Sequence, residues 1–501
     1  MPQPSITEVN TPQSRCRFAL AWADITPPVG IYHRMWGAAK HERATGVHRP
    51  LRATVAVFAP MERGEPGSLA PSEGERVSVR GPEQLQILLA LDHCVLGAVE
   101  HEQLVTHVAL ASSQPKETIL VVFSHTHGAG LMGLERASLP GGDLIPGYLR
   151  SVAERAAELV SECISQLTLA GIVYGQGSCS LAAHRDFFDE GAKQFVCGFN
   201  PGAPADGTVL VARVTDESGR LMATVVNYAC HPTTLAWENT LISPDYVGAL
   251  REVVEQATGA PCLFLQGASG ELGPREGYVG DAAVADRNGR QLGFAALSTL
   301  TALPAAGARF RYTGPVVSGA TLGAWAHEPL PAKGAEHKKL WQLWRWRELL
   351  SYRPGQPTAE QVETELKQFQ ADEATARSAG DAPRAADCRA MAERKRRLLH
   401  RLSQLPRGEA FPLQVVLWRM GDGFWLGVQG ESYSLLQTEL RRRFPGSPII
   451  VASVAADWGA SYLPVAKIYG TGIYQESIAV VAAGSLEQLI ESIATRIAGA
   501  G

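Results

Sequence analysis

Apolar residues recur along this chain in two rhythms. Short apolar runs, several of them rich in β-branched side chains, occupy 18–22, 51–58, 86–91, 118–124, 221–230, 262–265 and 449–454, with Gly, Pro, Asp or His at or near their ends. Runs of that length with such boundaries predict buried strands. Two more, 415–418 and 424–428, predict a hairpin across Gly421-Asp422-Gly423. Over 144–167 the period changes: Leu149, Val152, Ala156, Val160, Ile164 and Leu167 recur at helical spacing and predict an amphipathic helix laid on a sheet. A second helix is predicted to open at Ser243-Pro244-Asp245, with Ser243 as the N-cap, and a last one closes the chain over 486–498. Strands alternating with helices predict an α/β fold of mixed β-sheets flanked by helices.

The pattern breaks between 327 and 406. This stretch is charged, carries Trp341, Trp344 and Trp346 close together, and shows long helical segments interrupted at 353–357 and 380–383. It predicts an inserted helical hairpin. The domain organisation expected is therefore a flexible N-terminus over 1–16, a main domain over 17–326 and 407–501, and the insertion over 327–406. The tryptophans serve either as packing or as a lid or dimer contact, which leaves a homo-oligomer open. The segment 33–52 is aperiodic, and its Arg34, His41, Arg43 and His48 either line a pocket or are solvated.

Composition narrows the function classes. With 501 residues and 45% hydrophobic content the chain can bury a large core, and a net charge of −4 gives no footprint for nucleic acid. No run reaches the roughly 18 apolar residues of a membrane span, and the polar start is unlike a secretory signal. Eight scattered cysteines without a CxxC pair predict reduced thiols and a cytoplasmic protein. A small-molecule substrate fits this balance.

Candidate chemistry gathers at strand ends. The run ending in His125-Thr126-His127 delivers two imidazoles, and in an extended segment residues i and i+2 share a face. His231 follows another strand and precedes Pro232, which stops regular pairing, while Glu431 follows the predicted hairpin. Each alone is more often structural than functional; together, imidazoles plus a carboxylate are a familiar catalytic zinc set. Arg185 stands in a polar island, and Tyr462 and Tyr474 share a late loop. Two other motifs lead nowhere. Gly128-Ala129-Gly130-Leu131-Met132-Gly133 matches a dinucleotide fingerprint, but no continuous helix opens at its last glycine; Ser269 lies outside any G-x-S-x-G elbow.

Taken in order, Asp24-Ile25-Thr26-Pro27-Pro28, His125-Thr126-His127, Cys230-His231-Pro232-Thr233, Gly270-Glu271-Leu272-Gly273-Pro274, Gly430-Glu431, and Tyr462 with Tyr474 resemble the neutral/alkaline, non-lysosomal ceramidase family. The resemblance spans about residues 18 to 477 apart from the insertion. It implies an α/β catalytic domain that uses zinc to hydrolyse the amide of an N-acyl sphingoid base, placing the chain in sphingolipid metabolism. By the same resemblance, His125, His231, Glu431 and Tyr462 surround the metal, His127 is the acid/base group, and Arg185 and Tyr474 hold the developing oxyanion. The family's serine in the Gly-rich turn is here Gly273, a substrate-binding position. Neither the family's immunoglobulin-like C-terminal domain nor its export signal is expected in this chain. The alternative is a catalytically inactive relative that binds a ligand or partner through the cleft.

Overall fold

The computed structural model describes residues 6–61 and 85–500. The β-branched runs form strands, and twelve strands join one mixed sheet. In chain order these are β1 (Gln13–Asp24), β2 (Arg52–Ala59), β3 (Gln86–Leu91), β4 (Ile119–Phe123), β5 (Thr168–Ser178), β6 (Thr208–Asp216), β7 (Leu221–Tyr228), β8 (Cys262–Gln266), β9 (Trp341–Ser351), β10 (Ala410–Met420), β11 (Gly423–Gln429) and β12 (Ile449–Ala455). They lie side by side as β8-β7-β6-β5-β1-β2-β3-β4-β12-β11-β10-β9. Pairing is parallel at β7/β8, β3/β4 and β11/β12 and antiparallel elsewhere.

Both faces of this sheet are apolar because both are covered. In β2, Ala53, Val55, Val57 and Ala59 face one core, while Ala56 and Phe58 face another. The first core lies under helices Ala98–Ser112 and Ile145–Ser165. The second is the sheet's own inner face. There Phe58 meets Trp425 at 5.0 Å between ring centroids, and Trp418 stacks on Trp425 at 5.8 Å. Strands seven places apart in the order touch directly: the Asn227 amide on β7 donates to Val451 O on β12 (2.7 Å) and accepts from Val451 N–H (3.1 Å). The sheet therefore folds back on itself, and two further helix pairs cover its outer face, Tyr246–Thr258 with Ala282–Thr301 beside β6–β8, and Leu435–Arg443 with Ser485–Ala498 beside β9–β12. The protein is an α/β fold, and among the described residues no helix is long and apolar enough to cross a membrane.

Several elements differ from the sequence expectation. The lead was expected to be flexible through residue 16; its first five residues lie outside the described ones, but Glu8–Val9 pairs with Ala308–Ser318 and β1 starts at Gln13. The helix expected to be capped by Ser243 is capped by Asp245, whose side chain accepts from Tyr246 N–H (2.6 Å), while Ser243 Oγ accepts from Asp245 N–H. Trp341, Trp344 and Trp346 are not helical. They lie on edge strand β9, Trp344 and Trp346 facing one core and Trp341 the other, so their spacing reflects a period of two.

The expected helical hairpin does form, as Ala359–Ser378 and Ala382–Gln404. Its second helix is tied to the body through Glu393. This buried carboxylate meets Arg136 (3.0 Å) from the body and Arg396 (2.7 Å) and Arg397 (2.8 Å) from its own helix. Burial alone would raise the Glu393 pKa, but Arg397 and Arg136 outweigh it and hold the group at about 2. A carboxylate with a depressed folded pKa contributes stability above its unfolded value and loses that contribution as pH falls through the folded one. Glu393→Gln is expected to lower unfolding free energy at neutral pH by about 3 kcal/mol. In urea titrations the gap to wild type should narrow below about pH 4.5, the ordinary carboxylate range; a gap independent of pH would contradict this account.

Candidate functional site

The backbone leaves β4 at Phe123 and turns sharply. His125 has φ of 66°, left-handed for a non-glycine residue, and His127 opens a short 3-10 turn capped by Thr126 Oγ1, which accepts from Gly128 N–H. The two imidazoles are therefore not an extended i, i+2 pair as the sequence suggests. They meet because the turn is stitched down: His125 N–H donates to His93 O (3.0 Å), and Thr126 Oγ1 donates to Ser243 O (2.7 Å). Their rings stand 5.1 Å apart at 86°.

His231 follows β7, and its Nδ1 donates to Ser269 O (2.7 Å) in the glycine-rich turn after β8. Glu431 follows β11. The glycine before it is required: Gly430 has φ of 84°, and a Cβ there would come within 2.7 Å of Ser461 O. This close approach lets Glu431 N–H donate to Ser461 O (2.7 Å) and pairs Glu431 with Tyr462.

These strand ends bring three donor groups to one buried point. Glu431 Oε2 lies 3.3 Å from His125 Nε2 and 3.1 Å from His231 Nε2, and the donor atoms of the three residues are within 4.8 Å of one another. His125 Nδ1 faces Cys94 O (2.8 Å), and His231 Nδ1 faces Ser269 O. A carbonyl oxygen only accepts, so both Nδ1 atoms carry the proton and both Nε2 lone pairs point inward. Among the described residues His125 Nε2 has no hydrogen-bond partner. Two oriented imidazoles and a carboxylate fit a divalent cation of the zinc type. A second set, Cys94, His125 and His127, also comes together. It fits less well, because the Cys94 sulfur reaches His125 at Nδ1 (3.6 Å), the nitrogen already donating to a carbonyl.

The electrostatics follow from burial and these neighbours. Burial would raise the Glu431 pKa, but His125 outweighs it and holds the carboxyl well below its usual range. Burial opposes charge on His125, yet Cys94 and Glu431 together raise its pKa well above normal. Glu431 thus calls for positive charge beside it, which a proton on His125 or a divalent cation supplies. Burial, then Arg185, pushes His231 down to about 3, and burial, then His125, pushes His127 well below its ordinary value.

Of the other residues expected at the site, Arg185 and Tyr462 join the cluster. A single Arg185 nitrogen donates to Gly270 O (2.6 Å) and to the Tyr462 hydroxyl (2.9 Å), and that hydroxyl lies 3.5 Å from His231 Nε2. Tyr474 stands at the margin, 44% exposed, with its ring 6.0 Å from that of Tyr462. Gly273 lies beside Arg185: a Cβ there would sit 3.8 Å from Arg185 Cδ and 3.7 Å from Thr233 Oγ1. Of the loop residues 34, 41, 43 and 48, Arg34 lines a small cavity with Tyr32, Glu42 and Arg389 that includes none of the cluster, and the polar contacts of the four lie elsewhere. Arg34 donates to Gly37 O, His41 contacts His33, His48 bonds Ser243 Oγ, and Arg43 is exposed.

Two tryptophans at the site escaped sequence reasoning. Trp36 packs on His127 at 5.2 Å and meets Tyr278 edge-on at 5.8 Å, forming an aromatic wall. Trp458 donates its indole N–H to Glu431 Oε1 (3.3 Å). Both lie in aperiodic loops whose contacts are set by the fold; the one local signal is that Trp458 lies between two segments already under suspicion, Glu431 and Tyr462.

No family model matches the sequence, and no curated protein matches it. Among solved structures, the chain is similar to a ceramidase complexed with C2, with a TM-score of 0.60 and 15% identity over 98% of this chain and 76% of that one. It is also similar to the neutral ceramidase from Pseudomonas aeruginosa, with a TM-score of 0.55 and 15% identity over 98% of this chain and 75% of that one. The chain has the fold of the neutral ceramidases.

Proposed function

We propose that this protein is a zinc-dependent hydrolase that cleaves a linear amide, an N-acyl bond of a lipid-like substrate, by activating water. The observation that carries the reading is the inward orientation of His125, His231 and Glu431, whose donor atoms lie within 4.8 Å of one another. The likeness in fold to ceramidases supports the substrate class.

His125, His231 and Glu431 would hold the ion, with the Tyr462 hydroxyl beside them. When bound, the ion supplies Lewis acidity that polarises a carbonyl and acidifies water. The remaining work belongs to the chain's own groups. His127 is neutral at physiological pH, and its Nε2 is buried without a partner, so it accepts the proton of the attacking water and passes it to the departing nitrogen. Water adds to the carbonyl carbon, the C–N bond breaks, and a carboxylate and an amine leave. Arg185 stays cationic, since burial is outweighed by its interaction with Tyr462, and with Tyr474 it faces the oxygen that gains negative charge. Trp36 beside His127 offers an apolar surface that limits water around the leaving group.

Protein purified without added metal is expected to contain zinc near one equivalent, or to take it up on reconstitution; failure of wild type to bind zinc either way would sink the proposal. His231→Ala should lose both metal and turnover of N-acyl amides. His127→Ala should keep its metal while losing turnover by about 100-fold or more, the scale of general acid/base contributions.

Gly273 supplies a separate test. There is room for a side chain, since a Cβ would make only ordinary contacts with Thr233 and Arg185. Gly273→Ser is therefore expected to leave the melting temperature within about 2 °C of wild type, the range of a near-neutral change. If the missing hydroxyl governs the grip on an N-acyl sphingoid base, the variant should hydrolyse that substrate faster relative to a simple N-acyl amide; an unchanged ratio would remove the hydroxyl from the account of specificity.

A further inference from the structure

The second helix of the hairpin, Ala382–Gln404, does more than cover the body. Four of its residues, Ala390, Arg394, Arg397 and Arg401, are spaced to lie on one face, and each touches a segment that builds the site. Ala390 packs against Gly37, and Arg397 donates to Met35 O, the two neighbours of Trp36. Arg394 donates to Ser477 Oγ (2.7 Å) and lies 5.9 Å from the Tyr474 ring centroid.

Arg401 reaches furthest inward. It is 4% exposed, and among the described residues it makes no ion pair with a carboxylate. Its one hydrogen bond to a partner outside its helix goes to Ile478 O (2.8 Å), at the end of the short helix that starts with Tyr474. Its guanidinium instead sits 4.5 Å from the ring centroid of Trp458. A buried cation without a carboxylate is costly, and an indole face is the strongest aromatic partner for it. The same indole donates through Nε1 to Glu431 Oε1, leaving Oε2 turned to both imidazoles.

We infer that Arg401 and Trp458 are positioning residues: the hairpin's arginine fixes the indole, and the indole fixes the rotamer of the Glu431 carboxylate at the metal centre. The inference rests on the reading of His125, His231 and Glu431 as metal ligands and extends it to a residue of the hairpin. The ring also packs against the first core, and the Trp458 backbone N–H donates to Leu96 O (3.0 Å). Its ring plane is thus set by what lies against it. Losing the guanidinium removes one of the contacts that hold the ring, and losing the indole N–H removes a contact that holds the carboxylate.

The experiment is a double-mutant cycle read as zinc affinity, by competition with a chromophoric chelator, with Zn2+ alone as the probe and no substrate. Trp458→Phe keeps the ring and removes the donor; its zinc dissociation constant should rise by about 10- to 100-fold, the usual consequence of losing a group that orients a metal ligand. Arg401→Met should weaken binding by a smaller factor, about 5-fold, in line with one cation–π contact. Arg401→Lys, which keeps a cation near the ring, should recover most of that loss. In the Trp458→Phe background, Arg401→Met should have no further effect, because its route to Glu431 is already cut. A purely structural role for Arg401 predicts the opposite, equal losses in both backgrounds, and would overturn the inference, as would wild-type affinity in Trp458→Phe. Circular dichroism of each variant separates loss of fold from loss of orientation: a variant that melts as wild type yet binds zinc weakly supports the inference. If wild type itself takes up no zinc, the metal-hydrolase reading fails and this inference with it; if wild type binds and the variants bind equally, only this inference fails.

Discussion

Everything at the candidate site depends on two hydrogen bonds from imidazole to backbone. Cys94 O and Ser269 O each hold an Nδ1 proton, and this decides that His125 and His231, as neutral imidazoles, present lone pairs to the space they share with Glu431. Backbone carbonyls are the most rigid acceptors a fold has. The tautomers are therefore set by the course of the chain and survive changes in nearby side chains.

The constraint reaches outward because the two carbonyls belong to different parts of the chain. Ser269 follows β8, Cys94 follows β3, and Glu431 follows β11, segments separated by up to nine positions in the sheet. Only a sheet that folds back on itself brings them within ångströms. The Asn227 amide, bonded to both the N–H and the C=O of Val451, ties the two halves across the inner core, and Phe58, Trp418 and Trp425 fill the space around it. The large rings set the separation of the layers, and the amide sets their register. An apolar residue at 227 would preserve the first and lose the second.

How much of this was legible follows from the range of each interaction. The strands and the long helices were readable because periodicity is local, and Gln86–Leu91 appears at its expected bounds. His125, His231 and Glu431 were found because strand ends are where polar side chains meet in such folds. What the pattern concealed was conformational or distant. The left-handed turn at His125 cannot be read from a run that looks uniformly extended, so the shared direction of His125 and His127 was right in outcome and wrong in cause. The tryptophans of β9 stood among charges that suggest a helix, because an edge strand with one solvated side carries the same composition. Trp36 gave no signal, and Trp458 only its place between Glu431 and Tyr462, since a loop's contacts are decided by elements far away in sequence.

The strain in the backbone shows where the fold does its most demanding work. Of the non-glycine residues with left-handed φ among the described ones, His125, Asp245, Tyr278, Val454, Ala456 and Ser461 all lie in segments that build the site, and only Ser113 and Lys193 do not. Each such residue costs roughly 1–3 kcal/mol relative to a relaxed turn. Three of them, Val454, Ala456 and Ser461, bracket Trp458, so the loop presenting the indole to Glu431 is itself held in an unfavourable shape. Burying Glu431, Arg185 and Arg401 adds a desolvation cost on top. Local sequence preference opposes this arrangement at every one of these positions, so it must be sustained by the packed layers on both faces of the sheet. A site so dependent on its surroundings is best understood as one in which orientation, more than the identity of any single side chain, is what the rest of the chain maintains.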